Sequence, residues 1–282
     1  MKKILVPTDF SKNAQIATSV AADVARKSGA DLVLLHVIED VSGGSFNVEG
    51  EVSSLKDEAE DRLFNYRLIG KARKQLERAV LDPSLRDVNA DGELRVGNPF
   101  HAMRTILNQK KFDLVVMGTS GHTKIEEMLI GTNTEKVVRL AKCPVLTVNK
   151  KPVSNNFKDI VYATSMAKEE EVFSRMVKRT QQMYNSNIHL VRINTPADFQ
   201  RDYIVKDQMN RFAKKLGLKN YTLSVYNDMN VEEGVIRFAD SIDADMIAMA
   251  THGRNWLCSR DRWKCGGGSC WAREKARINF CG

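Results

Sequence analysis

An internal repeat constrains the fold of this chain more than any other feature of its sequence. Three runs of the first half, KILVPTD, LVLLHV and FDLVVMGTSG, have counterparts in the second half, which are DIVYATS, IHLVRI and ADMIAMATHG. The first two pairs are 156 residues apart and the third pair is 132 residues apart, so the first half carries 24 additional residues. The glycine-containing stretch 41–61 is the expected insertion. A repeat of this length indicates a duplicated domain rather than a solenoid unit.

Short apolar runs alternate with stretches of helical periodicity within each half. In the first half this pattern predicts helices over 13–28, 55–80, 99–108 and 132–140, and strands over 4–6, 32–38, 94–96, 114–117 and 145–148. Gly29 favours an end to the first helix, and Pro99 favours the start of the third. Strands separated by helices predict an α/β fold with two tandem, doubly wound, Rossmann-like parallel sheets. We expect domains at 1–150 and 157–254, joined by a polar linker.

A glycine-rich loop follows the strand at 114–117 and precedes a helix. It consists of Gly118-Thr119-Ser120-Gly121, nine further residues, and then Gly131-Thr132-Asn133. Glycines let a backbone approach a ligand closely and adopt positive φ. Free N–H groups at a helix start attract phosphate, and the hydroxyl of Thr132 and the amide of Asn133 add donors. The loop therefore predicts a phosphate site, with a plain turn and helix cap as the alternative.

A second polar group follows the first strand, in the run Val6-Pro7-Thr8-Asp9-Phe10-Ser11. Ligands of doubly wound sheets bind beyond the carboxyl ends of the strands, and Asp9 is expected at the same edge as the glycine loop. There its carboxylate can accept hydrogen bonds from a nucleobase or a ribose. The alternative is that Asp9 is the N-cap of the following helix. The two roles need not exclude each other.

These runs, together with the closing KCPVLTV, resemble the universal stress protein family. The resemblance covers 1–150 fully and 157–254 more weakly, so the chain resembles a tandem member of the family. It implies an adenine nucleotide alpha hydrolase-like fold and, in the ATP-binding branch, ATP as ligand with or without Mg²⁺. By position it assigns ribose and phosphates to Gly118, Gly121, Gly131, Thr132 and Asn133. It assigns the adenine side to Asp9 and the main chain at Val37, and the pocket lining to Pro7, Thr8, Met117 and Thr119.

The second half departs from this pattern at three places. The counterpart of Pro7-Thr8-Asp9 is Ala163-Thr164-Ser165, which lacks the carboxylate, and the first glycine of the loop becomes Ala250. Trp263 stands ten residues after Gly253, where the pattern requires glycine. We therefore expect a structural role for this half. Because domains of the family commonly pair through their last strands, the resemblance implies an intramolecular domain pair or a homodimer.

Several classes of protein and site are excluded or disfavoured by composition and spacing. No apolar run approaches the roughly 18 residues of a membrane span, and Pro7 and Asp9 interrupt any signal-peptide core, so we expect a cytoplasmic protein without a membrane partner. The net charge of +8 is concentrated near the end of the chain, which disfavours nucleic-acid binding by the folded body. The five histidines lack metal-ligand spacing. His36 is expected to be a packed or edge histidine, and His122, beside the loop, is expected to be a solvated loop residue, with an approach to phosphate as the alternative. We predict no metal site.

The sequence thus favours an ATP-binding stress-response protein with one nucleotide site, in the first domain. We predict no catalytic residues and at most slow ATP hydrolysis, because no catalytic base or arginine finger is visible. The alternative is an interaction or scaffold module of the same fold that does not use nucleotide; in either case the protein partner is unidentified. An enzyme of adenylate chemistry is a third hypothesis, but the signature loop of that class is missing near residues 7–12.

The tail 255–282 does not follow the family pattern. It holds four of the five cysteines, all three tryptophans, and, counted from Arg254, seven basic and two acidic residues. The cysteine spacing lacks the paired Cys-x-x-Cys of zinc sites. We interpret the tail as a shifted reading frame or a replaced end. If so, we expect the second sheet to have an atypical or truncated end that lacks its last strand.

Overall fold

The computed structural model of the protein describes residues 1–39, 55–118, 134, 136–138, 141–148, 156–167, 170–250 and 278–281. Contacts divide the chain into two compact units, Met1–Met117 and Gly118–Gly282. Within the residues described, no helix is both long and apolar enough to cross a lipid bilayer.

The first unit alternates strands and helices in the predicted order. Its strands are β1 (Lys3–Pro7), β2 (Asp31–Ile38), β3 (Ala90–Val96) and β4 (Leu114–Gly118), and its helices are α1 (Lys12–Ser28), α2 (Leu55–Val80) and α3 (Pro99–Gln109). A short 3₁₀ turn, Pro83–Leu85, lies between α2 and β3. The strands pair in parallel in the order β3-β2-β1-β4. The prediction of a doubly wound parallel sheet is confirmed.

The capping residues of the helices explain where they begin and end. Gly29 ends α1 with φ 66°, a left-handed conformation that glycine adopts without a steric penalty. Asn98 begins α3, and its side-chain oxygen accepts hydrogen bonds from the N–H groups of Phe100 and His101. Pro99 occupies the first turn, where its missing N–H costs no hydrogen bond. The predicted helix end at Gly29 and the predicted helix start at Pro99 are thus confirmed.

The second unit repeats this architecture. Its strands are β5 (Val145–Val148), β6 (Asp159–Ala163), β7 (Asn187–Asn194), β8 (Tyr221–Asn227), β9 (Met246–Met249) and β10 (Ile278–Cys281). Its helices with defined bounds are α4 (Glu171–Tyr184), α5 (Asp202–Leu216) and α6 (Val231–Ser241). Strands β10, β9, β6, β7 and β8 pair in parallel in that order, and the core between this sheet and α6 is built from residues such as Val191, Val235 and Phe238.

A strand of the tail occupies the edge that we expected to be empty. Ile278–Cys281 pairs in parallel with β9 and antiparallel with β5, with Asn279 opposite Ile247 on one side and Thr147 on the other. The expectation that the second sheet lacks its last strand is therefore wrong. Four residues are enough to form one ladder on each side, so an unusual sequence around them does not prevent strand pairing. Residues 255–277 lie outside the described part of the chain, and the origin of the tail stays a prediction.

Two aspartates mark the repeat at equivalent places of the two units. The carboxylate Oδ2 of Asp113 accepts hydrogen bonds from the backbone N–H groups of Lys2 (2.6 Å) and Lys3 (3.1 Å). Oδ2 of Asp245 accepts from Lys158 (2.8 Å) and Asp159 (3.0 Å). Each aspartate thus connects the start of a β1-type strand to the start of the strand beside it. The three-dimensional structure reproduces the alignment made from the sequence.

Candidate functional site

The end of β1 turns sharply into α1 and forms the centre of the candidate site. Thr8 keeps the strand in register, because its N–H donates to the carbonyl of Leu35 at 2.8 Å. Phe10 then adopts φ 61°, a left-handed conformation that is uncommon for a residue with a side chain. The Thr8 hydroxyl accepts a hydrogen bond from the Phe10 N–H at 3.1 Å and stabilises this turn. Pro7 and Thr8 are half-buried, while Asp9 is exposed at the carboxyl edge of the sheet.

The N-cap of α1 is Ser11 and not Asp9. The Ser11 Oγ accepts a hydrogen bond from the Ala14 N–H at 3.2 Å. Oδ1 of Asp9 accepts from the Ser11 N–H at 3.0 Å, which places the carboxylate one step before the cap. The alternative that Asp9 is itself the N-cap is therefore wrong.

The end of β2 lies beside this turn. His36 contacts the carbonyl oxygen of Thr8 through Nδ1 at 2.8 Å, and its ring lies 4.4 Å from the ring of Phe10. The expectation that His36 is a packed or edge histidine is confirmed. Val37 is the next residue and is half-buried at the same edge. Strands β1 and β2 are neighbours in parallel register, so the main chain at Val37 and the turn at Asp9 share one edge of the sheet.

Strand β4 brings the first residues of the glycine loop to the same edge. It pairs in parallel with β1, with Leu5 opposite Val115. Met117 is buried, and Gly118 is the last residue of the strand. The carbonyl of Gly118 accepts a hydrogen bond from the buried hydroxyl of Thr134 at 3.2 Å. Thr134 and residues 136–138 are helical, as expected for the helix that follows the loop.

The remaining residues of the predicted site lie outside the described part of the chain. They are Thr119, Gly121, Gly131, Thr132 and Asn133, and His122 lies with them. The described strands therefore place Pro7, Thr8, Asp9, Val37, Met117 and Gly118 at one edge. The ligand-binding roles of all eleven residues stay predictions. Among the residues described, no group of histidine, cysteine and carboxylate side chains could hold a metal ion.

The second unit has the same turn after β6. The N–H of Thr164 donates to the carbonyl of Val191 at 3.1 Å, and Met166 adopts φ 62°. The Thr164 hydroxyl accepts from the Met166 N–H at 2.9 Å, as Thr8 does from Phe10. The backbone of the turn has therefore been kept although its sequence changed from Pro-Thr-Asp to Ala-Thr-Ser.

A buried carboxylate holds this second turn, and the sequence did not reveal it. Glu170 is 2% exposed. Its Oε1 accepts hydrogen bonds from the N–H of Ser165 at 3.0 Å and from the Ser165 hydroxyl at 2.5 Å. Its Oε2 accepts from the hydroxyl of Thr164 at 2.5 Å and from that of Tyr162 at 3.2 Å. Burial and the negative charge of Glu170 raise the pKa of Tyr162, so its phenol stays protonated. The hydroxyls of Thr164 and Ser165 are thus engaged inside the protein.

The alignment contained a signal for this carboxylate that could have been noticed. At the repeat spacing of 156 residues, Glu170 corresponds to Ala14 and Ala167 corresponds to the N-cap Ser11. The second half therefore lost its capping serine and gained an acidic residue three positions later. Where one repeat has a buried alanine and the other has a carboxylate, the carboxylate is expected to be buried as well. It must then accept hydrogen bonds from neighbouring groups inside the protein.

Comparison with known proteins decides the family. The sequence model of the universal stress protein family matches residues 1–149. The chain belongs to the universal stress protein family. Two universal stress proteins of Methanocaldococcus jannaschii are 32% identical over 159 residues and 33% identical over 156 residues. Each match covers 53% of this chain, and the matches span 96% and 82% of the two relatives.

The fold likeness extends over both units. The crystal structure of a universal stress protein from Archaeoglobus fulgidus matches with a TM-score of 0.66 and covers 99% of this chain and 97% of that chain. The two proteins are 15% identical, so this likeness concerns the fold alone. The sequence relatives cover about half of the chain, whereas this fold covers nearly all of it. The universal stress protein fold is therefore present in this chain with two parallel-sheet α/β domains.

Proposed function

We propose that this universal stress protein binds one ATP molecule per chain, at the carboxyl edge of β1, β2 and β4. The single observation that carries the proposal is the turn at Asp9, beside the strand that leads into the glycine loop. In this proposal the Asp9 carboxylate and the main chain at Val37 hold the adenine side. Gly118, Gly121, Gly131, Thr132 and Asn133 hold the ribose and phosphates, with or without Mg²⁺.

Elementary electrostatics supports this division of roles. Phosphates carry negative charge and are favoured by free N–H groups at the start of a helix, which follows Gly131 in the sequence. The Asp9 carboxylate repels phosphate and accepts hydrogen bonds, so it suits the N–H and hydroxyl donors of adenosine. A ligand with a donor-rich end and an anionic end matches both. We propose at most slow hydrolysis of the bound ATP.

The described residues of the second repeat do not offer the same donors and acceptors. Ser165 stands where the first unit has Asp9, and its N–H and hydroxyl are both bound to Glu170. Ala250 stands where the first repeat has Gly118. We therefore propose that the second repeat, 157–254, is a structural partner and that ATP acts as a conformational ligand of the first repeat, 1–150. Such a ligand shifts a protein between two states only if it binds them with different affinities.

Calorimetric titration of ATP against matched valine variants tests the proposal. Gly118→Val and Gly131→Val place a branched side chain where the ligand approaches the backbone, so we expect affinity to fall at least tenfold in each. Ala250→Val is the matched control, because it makes the equivalent change in the second unit and should leave affinity unchanged. Equal affinity in the wild type and both glycine variants would contradict the proposal.

An interaction module that does not use nucleotide is the competing function. It predicts that protein purified from cells carries no nucleotide by mass spectrometry and that ATP produces no thermal shift. We expect the opposite on both counts. The protein partner is unidentified under both functions. The ATP titrations described above decide between the two.

A further inference from the structure

The ladder between β1 and β2 ends just before the turn that carries Asp9. Its last register pair is Pro7 opposite Leu35, and the N–H of Thr8 donates to the carbonyl of Leu35 at 2.8 Å. Strand β2 continues beside β3 to Ile38, whereas β1 ends at Pro7. The described ladder therefore stops one peptide short of Asp9, and a side chain has to hold that peptide if it is to stay in place.

The imidazole of His36 reaches from β2 to this peptide. Its Nδ1 lies 2.8 Å from the carbonyl oxygen of Thr8, which belongs to the peptide group between Thr8 and Asp9. A carbonyl oxygen can only accept a hydrogen bond, so Nδ1 carries the proton and donates. In a neutral imidazole Nε2 is then the acceptor nitrogen. The hydrogen bond fixes the orientation of the peptide plane that leads into Asp9.

The ring of His36 also contacts the residue that follows Asp9. It lies 4.4 Å from the ring of Phe10, with an angle of 38° between the two planes. Both of these residues are half-buried, whereas Asp9 is exposed. His36 thus contacts the residue on either side of Asp9, namely Thr8 through a hydrogen bond and Phe10 through its ring.

The direction of the Asp9 carboxylate follows the backbone of the turn. Its Oδ1 accepts a hydrogen bond from the N–H of Ser11 at 3.0 Å, so the side chain is tied to the chain two residues ahead. A rotation of the peptide before Asp9 would therefore move the carboxylate as well. Val37 follows His36 directly in β2, which connects the turn to the second main-chain group of the proposed adenine side.

The second unit holds the same turn without a histidine. At the repeat spacing of 156 residues, His36 corresponds to Arg192, whose Nη2 donates to Asp198 at 2.8 Å. There the carboxylate of Glu170 accepts from the hydroxyls of the turn and holds it from inside the protein. The backbone shape of the turn thus does not require an imidazole. The contact from β2 is a feature of the first unit, where the turn carries an exposed carboxylate.

We propose that His36 is a positioning residue of the nucleotide site. Its hydrogen bond to the carbonyl of Thr8 holds the Asp9 carboxylate at the distance from the main chain of Val37 that the adenine side of ATP requires. Binding groups have to be held within about 0.5 Å of their productive geometry, which explains why one hydrogen bond affects affinity. This inference rests on the proposed ATP function.

Two substitutions separate the donor from the ring. His36→Phe keeps a ring and loses the donor, whereas His36→Asn loses the ring and keeps an N–H donor near the position of Nδ1. In calorimetric titrations we expect His36→Phe to bind ATP about fivefold more weakly than the wild type, as for the loss of one hydrogen bond. His36→Asn should recover most of the affinity. A His36→Asn protein as weak as His36→Phe would overturn the role of the donor.

His189→Phe in the second unit is the matched control. His189 also joins neighbouring strands, through Nε2 to Asp159 at 3.0 Å and through Nδ1 to Thr222 at 2.9 Å. Its loss should lower the free energy of unfolding and leave ATP affinity unchanged. An equal loss of affinity in His189→Phe and His36→Phe would overturn the proposal, because general destabilisation would then explain both.

Coupling to Asp9 distinguishes positioning from local damage. In the Asp9→Ala background, His36→Phe should cause no further loss of affinity, since the carboxylate to be positioned is gone. The same loss in both backgrounds, or wild-type affinity in His36→Phe, would overturn this proposal while ATP binding by the wild type stands. A wild type that binds no ATP would overturn the proposed function itself and this inference with it. NMR of the imidazole nitrogens checks the contact without ATP: we expect the proton of neutral His36 on Nδ1, and a proton on Nε2 instead would overturn the proposal.

Discussion

Phe10 and Met166 occupy equivalent places in the two units and share a left-handed backbone, with φ of 61° and 62°. Neither is a glycine, so each turn carries a steric cost of about 1–2 kcal/mol. Each turn recovers part of this cost through a threonine hydroxyl that accepts the N–H of the strained residue. The pair shows that the duplicated turn was retained while its chemistry diverged.

Glycine at these two positions should affect stability differently. Met166→Gly relieves the strain, and we expect the free energy of unfolding to rise by about 0.5–1 kcal/mol. Phe10→Gly relieves the same strain but removes the ring contact with His36 at 4.4 Å, which is worth about 0.5–1.5 kcal/mol. We expect no gain there. Denaturant unfolding of both variants measures the difference, and a larger gain for Phe10→Gly would contradict this explanation.

Glu170 should be among the most sensitive positions of the second unit. Removing its carboxylate in Glu170→Ala leaves the donors of Tyr162, Thr164 and Ser165 without their acceptor, so we expect a loss of about 3 kcal/mol. Glu170→Gln retains one acceptor oxygen and should lose less. Glu233→Ala is the control, because its exposed ion pair with Arg237 is worth at most about 1 kcal/mol. A Glu170→Ala protein as stable as the control would refute the assigned contacts.

Asp113 and Asp245, which connect neighbouring strands in the two units, should contribute equally to the free energy of unfolding. Asp113→Ala and Asp245→Ala each remove the acceptor of two backbone N–H groups, and we expect each to lower the free energy of unfolding by about 2 kcal/mol. Asp91→Ala serves as the comparison, since among the described residues its carboxylate accepts from the neighbouring Gly92 alone, and its removal should cost less than about 1 kcal/mol. Chemical denaturation gives all three values. A twofold or larger difference between Asp113 and Asp245 would argue against their equivalence.

The lowered pKa of Glu93 makes the free energy of unfolding depend on pH in a defined direction. Burial alone would raise its pKa, but hydrogen bonds and charge from Lys110 and Arg95 outweigh it and hold the pKa below its ordinary value. The folded state therefore gains stability from ionised Glu93 above the unfolded pKa, and loses it as pH falls through the lower, folded pKa. We expect the wild type to exceed Glu93→Gln by about 1 kcal/mol at pH 7. The two free energies of unfolding should converge once the pH has fallen through the lowered pKa of Glu93, and a difference that grows on acidification would contradict this.

Local signals in the sequence predicted most of the first unit. The predicted helix over 55–80 is α2, and Gly29 and Pro99 have the roles their backbone chemistry dictates. Strand β3 was predicted only from Leu94, because Ala90, Asp91 and Gly92 have weak strand preferences. It begins four residues earlier, since its neighbour β2 provides a parallel partner along its whole length.

Local sequence patterns do not predict hydrogen-bonding and strand-pairing partners that are distant along the chain. Glu170 reads as part of a charged run, and its burial follows from the hydroxyls that surround it in three dimensions. The strand in the tail is formed through pairing with β9 and β5, because its four residues alone are too short a run to predict a strand. The candidate ATP site was predicted through its motifs and the family resemblance, because backbone turns and glycines leave a strong sequence signature.

The number of ATP molecules bound per chain tests the central claim most directly. Equilibrium dialysis with the wild type, Asp9→Ala and the matched Ser165→Ala compares the same turn in both units. We predict one ATP per chain for the wild type and for Ser165→Ala, and at least tenfold weaker binding for Asp9→Ala. Two ATP molecules per chain, none, or a loss on changing Ser165 but not Asp9 would contradict the assignment of the nucleotide site to the first sequence repeat, residues 1–150.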